Sequence, residues 1–165
     1  MQKTLKPAER LIVAADFKPP QKELWIEPGQ YEGESLICTS KINWVRRQVL
    51  SLADSLKGTG VYLKVNSALR ACGYDLIGEI QSRGLKVFAD LKLYDVDDTL
   101  STDGTLLAEA GPELLTVVCT TGDVAMKALK AKLTQTEGLG VTVLTSLTED
   151  ECRHAASAPV ARSAR

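Results

Sequence analysis

The chain has 165 residues, long enough for one domain with a sizeable core. Hydrophobic residues make up 44% and charged residues 25%, with a formal net charge of -1, a balance that argues against a basic nucleic-acid-binding stripe. No apolar run approaches the roughly 20 residues needed to span a bilayer, and Met1 to Arg10 is charged without the apolar stretch of a secretion signal, so a cytoplasmic protein with no membrane or nucleic-acid partner is expected.

Residues 11–17 (LIVAADF) predict a first strand. Residues 18–39 are rich in Pro, Gly and Glu and predict a long loop that Trp25 and Ile26 pin down; such length inside a compact domain points to a functional segment. Ile42, Val45, Val49, Leu52 and Leu56 recur at helical spacing and predict a helix with one apolar stripe, capped by Thr39 or Ser40. A strand over 61–66 (VYLKVN) precedes a helix over 75–83 with Leu76, Ile77 and Ile80 inward. A strand over 86–92 (KVFADLK) precedes a helix carrying Leu100, Leu106, Leu107 and Ala110, which Gly111-Pro112 stops. Residues 114–120 (LLTVVCT) predict the fourth strand, 123–132 the next helix, and 140–146 (GVTVLTS) the fifth strand. Thr148 and Glu151 have the spacing of a capping box that opens a last helix. After Glu151 the periodicity fades into Ala, Ser and Arg, so residues 1–151 are expected as the folded domain and 152–165 as an irregular tail.

Repeated strand-helix alternation means right-handed βαβ units and a parallel α/β sheet. A doubly wound sheet and a (β/α)8 barrel both fit that order. Within the strands, Tyr62, Lys64 and Asn66 oppose Val61, Leu63 and Val65. Phe88, Asp90 and Lys92 likewise oppose Val87, Ala89, Leu91 and Leu93, and Thr142 and Ser146 oppose Val141 and Val143. One face is apolar throughout. The other turns polar towards the strands' C-terminal ends, which in a barrel form the rim that holds active sites.

The segment Asp90-Leu91-Lys92-Leu93-Tyr94-Asp95 sets two carboxylates and an ammonium at the end of an apolar strand. Lys64 stands at the matching place on the neighbouring strand, and Asp16 ends the first strand. Burying such charges is costly unless they pair, and an alternating acid-base array offsets the cost while perturbing the pKa values. Asp16, Asp90 and Asp95 could also hold magnesium through oxygen, but two lysines among them neutralise the carboxylates without a metal. Cys38, Cys72, Cys119 and Cys152 match no zinc pattern, and two of them sit in apolar-periodic segments, which predicts buried free thiols. The single histidine, His154, leaves a His-based triad or metal cluster without support.

Residues 61–100 resemble the core of the orotidine 5'-phosphate decarboxylase family, which has a KVG-like strand, here Lys64-Val65-Asn66, followed by DLKxxDxxxT, here Asp90-Leu91-Lys92 with Asp95 and Thr99. Residues 11–17, Thr116-Val117 and 141–147 (VTVLTSL) resemble the family's first, fourth and fifth strands, so the likeness covers roughly residues 8–151. The resemblance implies a TIM (β/α)8-barrel fold of which about five βα units are present, a chain truncated before strands six to eight. It implies that Lys92 donates a proton to C6 of orotidine monophosphate as carbon dioxide leaves, with Asp90 against the substrate carboxylate. It implies ribose contacts from Lys64 and Asp16, a pyrimidine contact from Ser146, and a homodimer in which Asp95 and Thr99 reach the partner subunit's site. No metal or organic cofactor is implied. Tyr94, Asp97-Asp98, Val118 and Asn66 depart from the family's usual residues. The loops that grip the substrate phosphate follow strands seven and eight in the family, and Arg162 and Arg165 are the nearest substitutes, so weak or absent activity is expected. The competing expectations are a magnesium-dependent sugar-phosphate decarboxylase or lyase of the same superfamily and a non-catalytic dimerising fragment.

Overall fold

A computed structural model describes residues 6–21 and 36–157. After a 3-10 turn at Pro7–Arg10, the strands are β1 (Ile12–Ala14), β2 (Tyr62–Val65), β3 (Lys86–Leu93), β4 (Leu114–Val118) and β5 (Glu137–Val141). The helices are α1 (Leu36–Ser55), α2 (Ser67–Cys72), α3 (Asp75–Gln81), α4 (Asp97–Ala110), α5 (Asp123–Lys132) and α6 (Glu149–Ser157). All neighbouring strands pair in parallel. Their spatial order is β1-β2-β3-β4-β5, the order of the chain.

That order decides between the two expected architectures. A doubly wound sheet reverses direction at a switch point and carries helices on both faces. Right-handed crossovers that always step the same way leave every helix on one face. The chain therefore builds part of a (β/α) barrel. Leu63, Val65, Val87, Ala89, Leu115 and Val117 are buried on the helix side, while Tyr62 and Lys64 are half-buried on the other.

The helix stripes lie where the sequence puts them. Val45 and Val49 of α1 are buried together with Ala53, Leu52 and Leu56 pack half-buried beside them, and Leu76, Ile77 and Ile80 of α3 are inaccessible. Helix α4 buries Leu100 and Leu107, and it stops at Gly111, whose φ of 66° is left-handed and whose N–H donates to the Leu107 carbonyl at 2.8 Å. Gly104 lets α4 meet α5. A Cβ there would lie 3.0 Å from Lys132 Cβ and 3.1 Å from the Leu129 carbonyl oxygen.

Several expectations need correction. Helix α1 begins at Leu36, so Thr39 and Ser40 lie inside it rather than capping it, and the loop expected over 18–39 ends earlier. Residues 22–35, with Trp25 and Ile26, lie outside the described residues. Leu106 is 49% exposed rather than part of the inward stripe of α4. The short helix α2 was not expected. Strand β5 runs over Glu137–Val141, so Thr142 and Ser146 follow the strand instead of lining its polar face. Gly138 and Gly140 have weak strand propensity, and backbone pairing with β4 overrides it. The expected irregular tail begins as helix: α6 continues through Ser157, and residues 158–165, with Arg162 and Arg165, are outside the described part. Its capping box is made, with Glu151 Oε2 accepting from Thr148 N–H at 2.7 Å. Cys72 and Cys119 are half-buried free thiols rather than fully buried ones. Among the described residues no helix is long and apolar enough to cross a membrane.

Replacing Gly104 by Ala forces the α4–α5 contact apart and is expected to cost about 1–3 kcal/mol. Gly78→Ala in α3, where an added methyl meets nothing within 4 Å, is expected to add about 0.4–1 kcal/mol. Urea unfolding of the two variants measures the contrast, and equal shifts would contradict the close approach at Gly104.

Candidate active site

At the C-terminal ends of β1, β2 and β3 the polar face carries an alternating row of charges. Register sets it up. Ala14 pairs with Lys64 and Lys64 with Phe88, which leaves Asp16 and Asp90 each two residues further along their own chain segments. Lys64 Nζ donates to Asp16 Oδ2 at 2.8 Å and lies 3.8 Å from Asp90 Oδ2. Lys92 Nζ lies 2.7 Å from both carboxylate oxygens of Asp90. Asp16, Lys64, Asp90 and Lys92 thus form a neutral chain of two acids and two bases.

Asp90 is its hub. Its side chain is only 9% exposed, against 51% for Asp16. A carboxylate so placed must be paired to remain charged. It receives a further hydrogen bond from Thr116 Oγ1 on β4, at 3.0 Å. Burial pushes the Asp90 carboxyl up, but the bonds from Lys92 and Thr116 and the charges of Lys92 and Lys64 outweigh it and hold the group below its ordinary value. The bond to Asp16 pushes the Lys64 ammonium up, against burial and with help from the charges of Asp16 and Asp90.

The backbone bends to make this contact. Between Ala89 and Leu93 the pairing of β3 with β4 shifts register, a bulge of the kind that re-aims side chains. Lys92 has a φ of 48°, left-handed for a residue with a Cβ. Its amide donates to the Thr116 side chain, at 2.8 Å from Oγ1.

The other expected site residues are not joined to the row. Asp95 is exposed, and its Oδ1 accepts the neighbouring Val96 N–H at 2.8 Å. It does share with Lys92 an open cleft of about 570 Å³, lined also by Arg70, Tyr74 and Asp103. Burial in that cleft, reinforced by the nearby Asp95 charge, pushes the Asp103 carboxyl up. Thr99 is exposed in the first turn of α4, and Ser146 is exposed in a turn beyond β5. Tyr94 and Val96, either side of Asp95, are 65% and 62% exposed. The residue missed as part of the site is Thr116, 5% exposed. A lone hydroxyl within the apolar run Leu114-Leu115-Thr116-Val117-Val118 was the available signal, since buried polar groups need partners.

A half-barrel of parallel βα units with a compensated charge row at the strands' C-terminal ends has its chemistry where barrel enzymes of this class carry their active sites. The chain matches the orotidine 5'-phosphate decarboxylase / HUMPS family over residues 9–164, and it belongs to that family. The orotidine 5'-phosphate decarboxylase of Nautilia profundicola is 33% identical over 123 residues, which are 70% of this chain and 53% of that protein. The Pseudomonas fluorescens protein of the same name is 33% identical over 112 residues, 64% of this chain and 48% of that one. Among solved structures, orotidine 5'-phosphate decarboxylase from Lactobacillus acidophilus aligns with a TM-score of 0.59 at 29% identity, over 67% of this chain and 55% of that one. An uncharacterised conserved protein from Geobacillus kaustophilus shares the fold, with a TM-score of 0.64 at 24% identity, over 92% of this chain and 61% of that one. The chain spans about half the length of the curated relatives it matches.

The shifts of Asp90 and Lys64 set two limbs of stability. The Asp90 carboxyl titrates below its ordinary value of 3.8, so its contribution is present above pH 3.8 and is lost as pH falls through the lower, folded value. The Lys64 ammonium titrates above 10.5, so its contribution is present below pH 10.5 and is lost as pH rises through the higher, folded value. Urea unfolding of wild type and Asp90→Asn from pH 7 to pH 2 is expected to show a smaller acid loss in the variant. Parallel curves would mean that Asp90 is not held charged by the row.

Proposed function

We propose that this chain carries the charged half of an orotidine 5'-phosphate decarboxylase site and serves the conversion of orotidine monophosphate to uridine monophosphate and carbon dioxide, a step of pyrimidine biosynthesis. The observation that carries this reading is the Asp16–Lys64–Asp90–Lys92 row, with Lys92 Nζ 2.7 Å from Asp90. Membership of the family supports it.

In this reading the substrate carboxylate lies beside Asp90 and the pyrimidine C6 beside the Lys92 ammonium. The bond from C6 to the carboxylate carbon breaks, its electron pair stays on C6, and the Lys92 proton moves onto that carbon. Fixed charges stabilise the developing carbanion without reorganising at the moment of reaction. Lys64 and Asp16 bind the ribose hydroxyls, and Ser146 meets the pyrimidine. Asp95 and Thr99, exposed beside Tyr94 and Val96, reach the site of a partner subunit in a homodimer. The proton donor and the stabilising charges are all side chains, so the chemistry asks for no metal or organic cofactor. The cytoplasm is the expected compartment for this step.

The 165 residues taken alone are expected to turn over slowly. Binding energy from the remote phosphate is used at the reacting carbon, and the charge row itself has no group placed to supply it. The loss of orotidine monophosphate absorbance with purified chain measures the rate. We expect slow turnover that Lys92→Ala abolishes. Turnover indifferent to Lys92→Ala would overturn the assignment. A rate matching the longer relatives would overturn the argument from phosphate binding. Activity on a keto-sugar phosphate that depends on magnesium would replace the decarboxylase with a lyase of the same superfamily.

A further inference from the structure

The Leu91–Lys92 peptide unit is held at both ends by side chains. Its N–H, on Lys92, donates to Thr116 Oγ1 at 2.8 Å. Its carbonyl, on Leu91, accepts from the Arg70 guanidinium, which reaches it from α2. The acceptor and the donor come from opposite sides of β3: Thr116 from β4, and Arg70 from the helix that follows β2. This peptide lies within the register shift between Ala89 and Leu93, where no residue of β3 is paired with β4. A backbone group turned out of a ladder must find another partner or lose the value of its hydrogen bond. The left-handed conformation of Lys92 is also unfavourable for a residue with a Cβ, and such conformations persist only where the surroundings over-determine them.

Thr116 has a second task. Its hydroxyl has one proton, and that proton goes to Asp90 Oδ1 at 3.0 Å while a lone pair takes the Lys92 amide. One oxygen therefore fixes both the carboxylate and the backbone of the lysine that pairs with it. Arg70 completes the grip on the far side.

We propose that Thr116 and Arg70 are positioning residues that clamp the Leu91–Lys92 peptide and so set the Lys92 ammonium onto Asp90 in the reactive geometry. The kinetic part of this proposal rests on the decarboxylase reading; the structural part does not. The charged groups around Asp90 are Lys92 on its own strand, Lys64 on β2, and Asp16 behind Lys64. Thr116 is the uncharged member of the set, and the only one that touches both Asp90 and the Lys92 backbone among the described hydrogen bonds.

The test uses the whole chain with Thr116→Val, Thr116→Ser and Arg70→Met. Valine keeps the volume and removes the hydroxyl; serine restores it. Without substrate, carbon-detected NMR follows the Asp90 carboxyl through its titration, and amide spectra follow the Lys92 N–H. We expect the Asp90 midpoint to rise in Thr116→Val and to return in Thr116→Ser, and the Lys92 amide shift to move in both Thr116→Val and Arg70→Met. On orotidine monophosphate, kcat is expected to fall up to about 100-fold in Thr116→Val with KM little changed, because small misplacements of reacting groups act on kcat, and to recover in Thr116→Ser. A wild-type Asp90 midpoint and Lys92 amide shift in Thr116→Val would overturn the clamp. If that variant does not fold, Arg70→Met decides alone, since Arg70 lies on the surface of α2: an unmoved Lys92 amide there overturns the proposal. Where the wild-type chain shows no turnover, the clamp is judged by the substrate-free spectra alone, and the decarboxylase reading stands or falls on the Lys92→Ala comparison in a chain that turns over.

Discussion

A nearly buried carboxylate between two ammoniums is the constraint on which this structure turns. Asp90 is 9% exposed, and Lys64 and Lys92 approach it from two strands. An isolated charge in that position would be expelled or neutralised. Pairing keeps it, and pairing demands that β2 and β3 be in register with their ends level, that β3 bulge at its last turn of side chains, and that β4 present a hydroxyl at the right height. The carboxylate therefore restricts the sheet as much as the sheet positions the carboxylate. A charged group held so far from its preferred surroundings gives little back in stability. Its value is in the field it creates at the mouth of the barrel.

The remainder of the fold serves that mouth. Strands stepping one way put the crossover helices on one face, where Leu63, Val87 and Leu115 share one core with Leu69, Ile80 and Leu107. Close packing there is what makes the opposite face rigid enough to hold charges in line. Gly104 shows how tight the outer layer is, since even a methyl would crowd Leu129 and Lys132. The exposed stretch from Tyr94 to Thr99 follows directly from Lys92, so a subunit docking there would couple to the charge row through two or three residues of backbone.

Much of this was legible in the sequence where one physical rule acts alone. Period-two alternation along 86–93 put Asp90 and Lys92 on one face, and the helical spacing of Leu76, Ile77 and Ile80 marked a buried stripe. Asp123–Lys132 and the Thr148–Glu151 box were readable from local chemistry. What escaped depends on partners distant in sequence. Strand β5 is a strand because β4 lies beside it, despite Gly138 and Gly140. Leu106 reads as core by spacing but is about half exposed. Thr116 was placed in the fold and not in the site, because its role needs Asp90, 26 residues earlier, and a backbone turn at Lys92 that no propensity encodes. Asp95 was legible as the second carboxylate of its run, and Ser146 and Thr99 took their roles from family likeness; Asp95 bonds to the Val96 amide rather than to the row, and Thr99 and Ser146 are exposed.

The most direct measurement of the central claim is a double-mutant cycle across the Asp90–Lys92 pair, read by urea unfolding at neutral pH with Asp90→Asn, Lys92→Met and the double variant. Residues in one ion-paired network couple, so the account expects the double variant to fall short of the summed single losses by about 0.5–3 kcal/mol. Losses that add within about 0.3 kcal/mol would mean that the two groups act independently, and the charge row would no longer be the element that organises this site.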